Sequence, residues 1–199
     1  MSMKLLVLGL LMEGNKHPYE IRQTIKSRNW NEAFKLRDGS LYYAVDQLRE
    51  DGLVEAAEIV PVPGEKRPDK TIFRITDAGR EAFIKLVYQQ LEQSSYPQNP
   101  VFMALPFVRH CEPETIIPHL ENQIASCEER IARLRMIYEF KSPYIPAGSS
   151  MFIRGCIQFS ETELSWLNEA LTEARSGKLF EGPKWSAEQI EAFRKEMGL

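Results

Sequence analysis

Residues 39–53 read Gly39-Ser40-Leu41-Tyr42-Tyr43-Ala44-Val45-Asp46-Gln47-Leu48-Arg49-Glu50-Asp51-Gly52-Leu53. Wound as a helix, this stretch gathers Leu41, Ala44, Val45 and Leu48 on one side, the spacing that buries a face against a core. Ser40, Tyr43 and Gln47 fall on the other side, which is polar or aromatic and can donate hydrogen bonds. Gly52 supplies the stop, because glycine tolerates the left-handed conformation just past a helix end. A helix with a greasy back and a short hydrogen-bonding front suits a DNA major groove. It also suits an ordinary amphipathic surface helix, and the neighbouring segments decide between the two.

Upstream, residues 4–13 form a compact apolar segment ended by Gly14 and Asn15, the pattern of a buried first helix. The apolar run 5–12 is too short to span a bilayer, and no small-residue cleavage site follows it. Pro18 stands where a second helix begins, a position in which its missing N–H costs nothing. Residues 29–38 are a polar connection to the 39–53 helix. Downstream, 53–59 and 71–75 read as strands joined by the proline- and glycine-punctuated turn 61–70. Three helices, a strand, a basic loop and a strand make a winged helix-turn-helix, in which the third helix enters the groove.

The charge is arranged to match. The chain of 199 residues carries a formal net charge of −3, with 43% apolar and 27% charged residues, a composition of globular type. Residues 16–37 nevertheless hold six basic side chains against two acidic ones, just ahead of the candidate reading helix. Lys35 and Arg37 precede that helix, and Lys66, Arg67 and Lys70 lie on the loop; with Tyr42 they are the candidate phosphate contacts. Ser40, Tyr43 and Gln47 are the candidates for reading bases or facing the groove, Gln47 foremost, since glutamine can bond adenine in two places. Basic hairpin tips also occur simply as solubilising features.

Five fragments carry a family resemblance: His17-Pro18-Tyr19-Glu20-Ile21, Gly39-Ser40-Leu41-Tyr42, Leu48, Glu50-Asp51-Gly52-Leu53-Val54 and Thr76-Asp77-Ala78-Gly79. In this order and spacing, over roughly the first ninety residues, the chain resembles the PadR family of bacterial transcriptional regulators. Pro18 stands where the family generally has glycine, Phe73 where it often has tyrosine, and Asp46 where a basic residue is frequent. A carboxylate near phosphates repels them, so Asp46 either pairs with an arginine such as Arg49 or points away from the duplex. The wing is also longer than usual. The resemblance implies a repressor, often relieved by a ligand, that dimerises through C-terminal helices; the 164–169 stretch is similar to that region too.

Residues 76–92 make a further helix capped by Thr76, and 94–100 read as the linker, which places domains at 1–93 and 101–175 with a tail at 176–199. The fold class expected is mainly α with a small β-wing (α+β), a winged helix-turn-helix domain followed by a helical dimerisation domain. Residues 101–108 are strongly apolar around Pro106, and a long helix then starts at 112–114. Ile117, Leu120, Ile124, Cys127, Ile131, Leu134 and Tyr138 alternate at spacings of three and four, a heptad seam whose first turns Pro118 should perturb. After a loop at 142–150, Ile157, Ser160, Leu164, Leu167 and Leu171 form a second stripe. The two seams can pair inside one chain, across a two-fold axis, or both; Ile124, Ile131, Leu134, Ile157, Leu164, Leu167 and Leu171 are the dimerisation candidates. In the tail, Ser186 and Gln189 make a capping-box start, and Ile190, Phe193 and Met197 one apolar face, fitting either a short docking helix or a flexible appendage.

Chemistry of other kinds finds little support. The cysteines Cys111, Cys127 and Cys156 form neither a disulfide framework nor a metal motif, and read as reduced packing residues of a cytoplasmic protein. No glycine-rich phosphate loop, His-Glu-x-x-His or nucleophile elbow is present. His110, Cys111 and Glu112 adjoin one another, but neighbours on a helix point in different directions and no second cluster has ligand spacing. No catalytic residue, metal or cofactor is expected. The partners expected are double-stranded DNA, a second copy of the chain and a small aromatic or hydrophobic effector, with no membrane. Phe102, Phe107, Tyr138, Phe159 and Trp166 either line such an effector pocket or belong to the core. The rival reading is a winged-helix adaptor that binds protein without specific DNA binding; an enzyme is a second rival without a constellation to support it.

Overall fold

The computed structural model describes residues 3–28, 30, 34, 39–60, 70–94, 99–182 and 184–198. The chain divides into two compact units, Met1–Tyr96 and Pro97–Leu199. The first holds α1 (Met3–Met12), α2 (Pro18–Ser27), α3 (Gly39–Glu50), β1 (Val54–Val60), β2 (Lys70–Ile75) and α4 (Asp77–Glu92). Helix α1 is apolar nearly all round and contributes Val7, Leu8, Leu10 and Leu11 to the centre. Around them close Ile21 and Ile25 from α2, the Leu41, Ala44, Val45 and Leu48 face of α3, and Val54, Phe73 and Ile75 from the strands. Each fully buried side chain of this size contributes about 1.5–3 kcal/mol of transfer free energy.

The sequence fragments that define the domain are its joints. At the start of α2 the Tyr19 N–H donates to His17 Nδ1 (3.1 Å), while the Glu20 carboxylate accepts from the His17 N–H (2.7 Å). Two otherwise orphaned helix-start donors are thereby satisfied, and Pro18 between them has none to satisfy. At the other end of α3, Gly52 takes φ +70° and the Leu53 N–H reaches back to the Leu48 carbonyl (2.8 Å), a left-handed helix stop. Thr76 ties that stop to α4: its hydroxyl donates to the Gly52 carbonyl (2.8 Å) and accepts from the Gly79 N–H (3.0 Å). Gly79 has no room for a side chain, since a Cβ there would lie 2.0 Å from the Leu53 carbonyl oxygen.

β1 and β2 pair antiparallel from Val54↔Ile75 to Val60↔Lys70, with a bulge between Ala56 and Glu58. The bulge carries no signal in the alternation of the sequence. Lys16, between α1 and α2, adds a two-bond bridge to Phe73 (3.1 and 3.0 Å), so the wing is pinned to the helices at its root.

The second unit begins with α5 (Pro100–Ala104) and a 3₁₀ turn (Leu105–His110), and then α6 (Pro113–Lys141). A 3₁₀ turn (Ser142–Tyr144) leads to α7 (Ala147–Arg175), followed by a 3₁₀ turn (Lys178–Phe180) and α8 (Ala187–Met197). Two expectations are corrected. Pro118 does not interrupt α6: as the sixth residue of the helix it removes only the bond to the Glu114 carbonyl, and the helix carries on. The connection expected at 142–150 is shorter, because Ala147, Gly148, Ser149 and Ser150, loop-like in composition, form the first turn of α7.

α6 and α7 run antiparallel, with Glu121 bonded to Arg175 (2.7 Å) near one end and Arg130 to Glu163 nearer the other. Leu120, Cys127 and Ile131 meet Leu167, Ala170, Leu171 and Ala174 in their core. Beside it the Cys127 thiol donates to the Ser160 carbonyl (3.2 Å), and burial pushes that thiol upward in pKa. A protonated thiol in such a setting packs rather than reacts. Among the described residues no helix is long and apolar enough to cross a membrane.

Candidate nucleic-acid interface

With Leu41, Ala44, Val45 and Leu48 turned into the core, the opposite side of α3 must face outward. Tyr43 is 68% exposed, Tyr42 46%, and Ser40 is exposed in the first turn. Gln47 is half-buried and is not idle: its amide nitrogen donates to Glu50 Oε2 at 2.8 Å. Sequence reasoning missed this contact, although glutamine and glutamate at i,i+3 are neighbours on a helix surface. That bond takes up one of the two amide N–H groups of Gln47 and orients the side chain; the second N–H and the carbonyl oxygen take no part in it.

Asp46 lies 3.7 Å from Arg49 one turn away, both more than half exposed. This pairing partly offsets the carboxylate facing outward on α3. Lys70 is exposed at the start of β2. Lys35, Arg37, Lys66 and Arg67, the other phosphate candidates, lie outside the described residues.

The basic stretch is less free than its sequence implies. Arg28 donates two hydrogen bonds to Glu13, each of 2.7 Å, and its guanidinium sits 5.0 Å from the centre of the Trp30 ring. The hydrogen bond to Arg28 lowers the pKa of Glu13 and raises that of Arg28 in return. Arg28 thus braces the end of α2 against the end of α1.

Among the dimerisation candidates, Ile131, Leu167 and Leu171 are buried inside the α6–α7 pair of a single chain. Ile124, Leu134, Ile157 and Leu164 are half-buried. The large apolar side chains left outside are others, notably Phe140, Tyr144 and Phe159, each more than three-quarters exposed. Of the aromatic residues considered for a pocket, Phe102 and Trp166 meet edge to face at 4.5 Å between ring centres, whereas Phe107 and Phe159 are largely exposed.

Three helices, a two-stranded wing pinned by a bridge, and an outward-facing third helix define a winged helix-turn-helix protein of the transcription-regulator class. The chain belongs to the PadR-like family of transcriptional regulators, whose family model matches residues 7–85. Residues 99–175 match a second model, the C-terminal region of virulence activator alpha. An uncharacterized protein of Lysinibacillus sphaericus is 30% identical over 87 residues, 44% of this chain and 76% of that protein. Among solved structures, Bacillus subtilis PadR in complex with operator DNA superimposes with a TM-score of 0.70 at 16% identity, covering 86% of this chain and 98% of the other. The same B. subtilis protein in complex with p-coumaric acid gives 0.67 at 14% identity, covering 87% and 98%. A PadR-like transcriptional regulator of Bacillus cereus gives 0.65 at 25% identity, covering 87% and 96%.

Proposed function

We propose that the protein is a cytoplasmic homodimeric repressor that binds a palindromic operator and is released by a small aromatic or hydrophobic effector. The observation that carries this reading is the outward face of α3, where Tyr43, two-thirds exposed, stands with Ser40 and Gln47 over a fully buried back. Family membership supplies the biological setting. The B. subtilis structures, which hold operator DNA and p-coumaric acid, are the precedent for both ligands. In this reading Gln47 bonds an adenine edge. Ser40 and Tyr43 line the groove, while Lys35, Arg37, Tyr42, Lys66, Arg67 and Lys70 anchor phosphates and fix register without reading sequence.

Dimerisation places one α3 in each of two successive major grooves, about 34 Å apart. Exposed apolar side chains gathered into one patch mark a partner-facing surface, and the reading assigns Phe140, Tyr144 and Phe159 to it; the half-buried Ile124, Leu134, Ile157 and Leu164 complete it. Selection of bound DNA from a random pool tests the whole reading. Recovery of two inverted half-sites one helical turn apart is expected. A pool that stays random after repeated rounds would refute operator recognition and favour the adaptor.

A further inference from the structure

In the second unit, α5 and the 3₁₀ turn after it lie against the first half of α6 and leave a cleft of about 360 Å³. Val108 and Leu120, both buried, form its floor, and Val101 and Leu105 are half-buried in its wall. Ala104 stands exposed at the lip. Across from these lie His119, Asn122 and Gln123, exposed and spaced so that all three share one face of α6. Each can present an N–H donor. An apolar cleft of several hundred cubic ångströms with a few polar groups gathered on one side has the make-up of a small-molecule site.

We propose that this cleft is the effector site. It takes a molecule of about one aromatic ring in size, whose apolar body rests on Val108 and Leu120. The molecule's hydrogen-bond-accepting end, a carboxylate above all, receives N–H groups from His119, Asn122 and Gln123. The aromatic residues considered from sequence do not form this lining; aliphatic side chains do. The site deepens the effector reading above, but occupancy of the cleft does not depend on DNA binding.

The same helix supplies the reporter. Asn99 caps α5, accepting from the Val101 N–H (2.9 Å), and donates to Glu163 of α7 (2.6 Å), which also holds Arg130. The Phe102 ring of α5 meets the Trp166 ring of α7 edge to face. A ligand pressed against α5 therefore alters the surroundings of Trp166.

The test uses the full chain without DNA, carrying Trp30→Phe and Trp185→Phe so that Trp166 alone emits. The probes are p-coumaric acid, hexanoic acid and the neutral 4-ethylphenol, followed by emission and by calorimetry. Saturable binding of at least one acid is expected, tighter than that of 4-ethylphenol. His119→Ala should weaken it about tenfold, the usual cost of losing a charge-assisted hydrogen bond. Ala104→Trp, which fills the lip, should abolish it, as read by calorimetry, since the added indole emits as well. Light scattering and thermal midpoints should show both variants folded and of unchanged mass. No saturable binding by any probe at low-millimolar concentration overturns the proposal, as does unaltered binding by His119→Ala and Ala104→Trp. A changed mass for Ala104→Trp would also overturn it, because the cleft would then be an interface between copies. Failure to select an operator would leave these binding results intact, so the two readings fail separately.

Discussion

Gly79 is the residue on which the wing and the fourth helix turn. A methyl group there would meet the Leu53 carbonyl oxygen at 2.0 Å and the Ile75 side chain at 2.8 Å, and backbone cannot be pushed aside as a flexible side chain can. Gly79→Ala should therefore destabilise the domain by roughly 2–4 kcal/mol, at the upper end of the range for overpacking. Urea denaturation checks this, and a loss under about 0.5 kcal/mol would show that the joint gives way easily. The Glu13–Arg28 pair is a milder device. The Arg28 hydrogen bond depresses the Glu13 pKa below its ordinary value of 4.5, so the contribution is fully present above that value. It is lost as pH falls through the lower, folded value. With both side chains more than a third exposed, it amounts to no more than about 1 kcal/mol. Glu13→Gln should lower stability at neutral pH and leave the two proteins alike in acid, as thermal midpoints across pH would show. The His-Pro-Tyr-Glu and Thr-Asp-Ala-Gly fragments were legible as landmarks because caps and stops depend on residues adjacent in sequence. The Thr76–Gly52 bond and the Gly79–Leu53 approach join residues more than twenty positions apart, and no local pattern reports such distances.

At the scale of elements, periodicity says which side of a helix is buried and not what covers it. The α3 stripe was legible without ambiguity, because the face opposite Leu41, Ala44, Val45 and Leu48 carries nothing that needs a core. The α6 and α7 stripes were legible as seams but not as to whose seam they were, since a heptad looks alike within a chain and between chains. Leu167 has no exposed surface in a single chain, and Ile131 and Leu171 pack beside it. Leu167→Ala should thus cost about 2–5 kcal/mol in the stability of the protomer itself. Phe140→Ser and Phe159→Ser remove side chains already exposed, so each should shift the protomer's unfolding by only about 0.5 kcal/mol. On the proposed dimeric reading, sedimentation of these two variants should instead show dissociation at higher protein concentration than wild type. If Leu167→Ala alone dissociates the dimer while the phenylalanine variants behave as wild type, the partner-facing region lies elsewhere.

Over the whole molecule, a chain of net charge −3 that binds a polyanion must do so by arrangement. Part of the apparent arrangement is spent internally, since Arg28 is held by Glu13 and Lys4 by Asp51 at 2.6 Å. On the proposed reading, what remains for DNA is the α3 face with its polar front, together with the basic residues at 35, 37, 66, 67 and 70. If two copies act on one duplex, as proposed, the count of phosphates neutralised doubles, and counterion release makes that count measurable. If a dimer neutralises six to ten phosphates, the logarithm of affinity should fall against the logarithm of salt with a slope of about −5 to −9. Between 50 and 200 mM salt that is a loss of roughly 10³- to 10⁵-fold. Within that total the side chains divide by role. Gln47→Ala should cost about 1–3 kcal/mol on the selected site and leave random DNA unaffected. Lys66→Ala should weaken both alike and flatten the slope of a dimer by about two, one contact being lost from each copy. A monomeric variant such as Phe140→Asp combined with Phe159→Asp should retain the fold, halve the slope and lose the preference for paired half-sites. Titrations over a salt series on selected and random duplexes read all of these quantities together. A slope near zero in the wild type, or equal losses by Gln47→Ala on both duplexes, would mean that α3 does not read DNA and that its exposed face serves a protein partner.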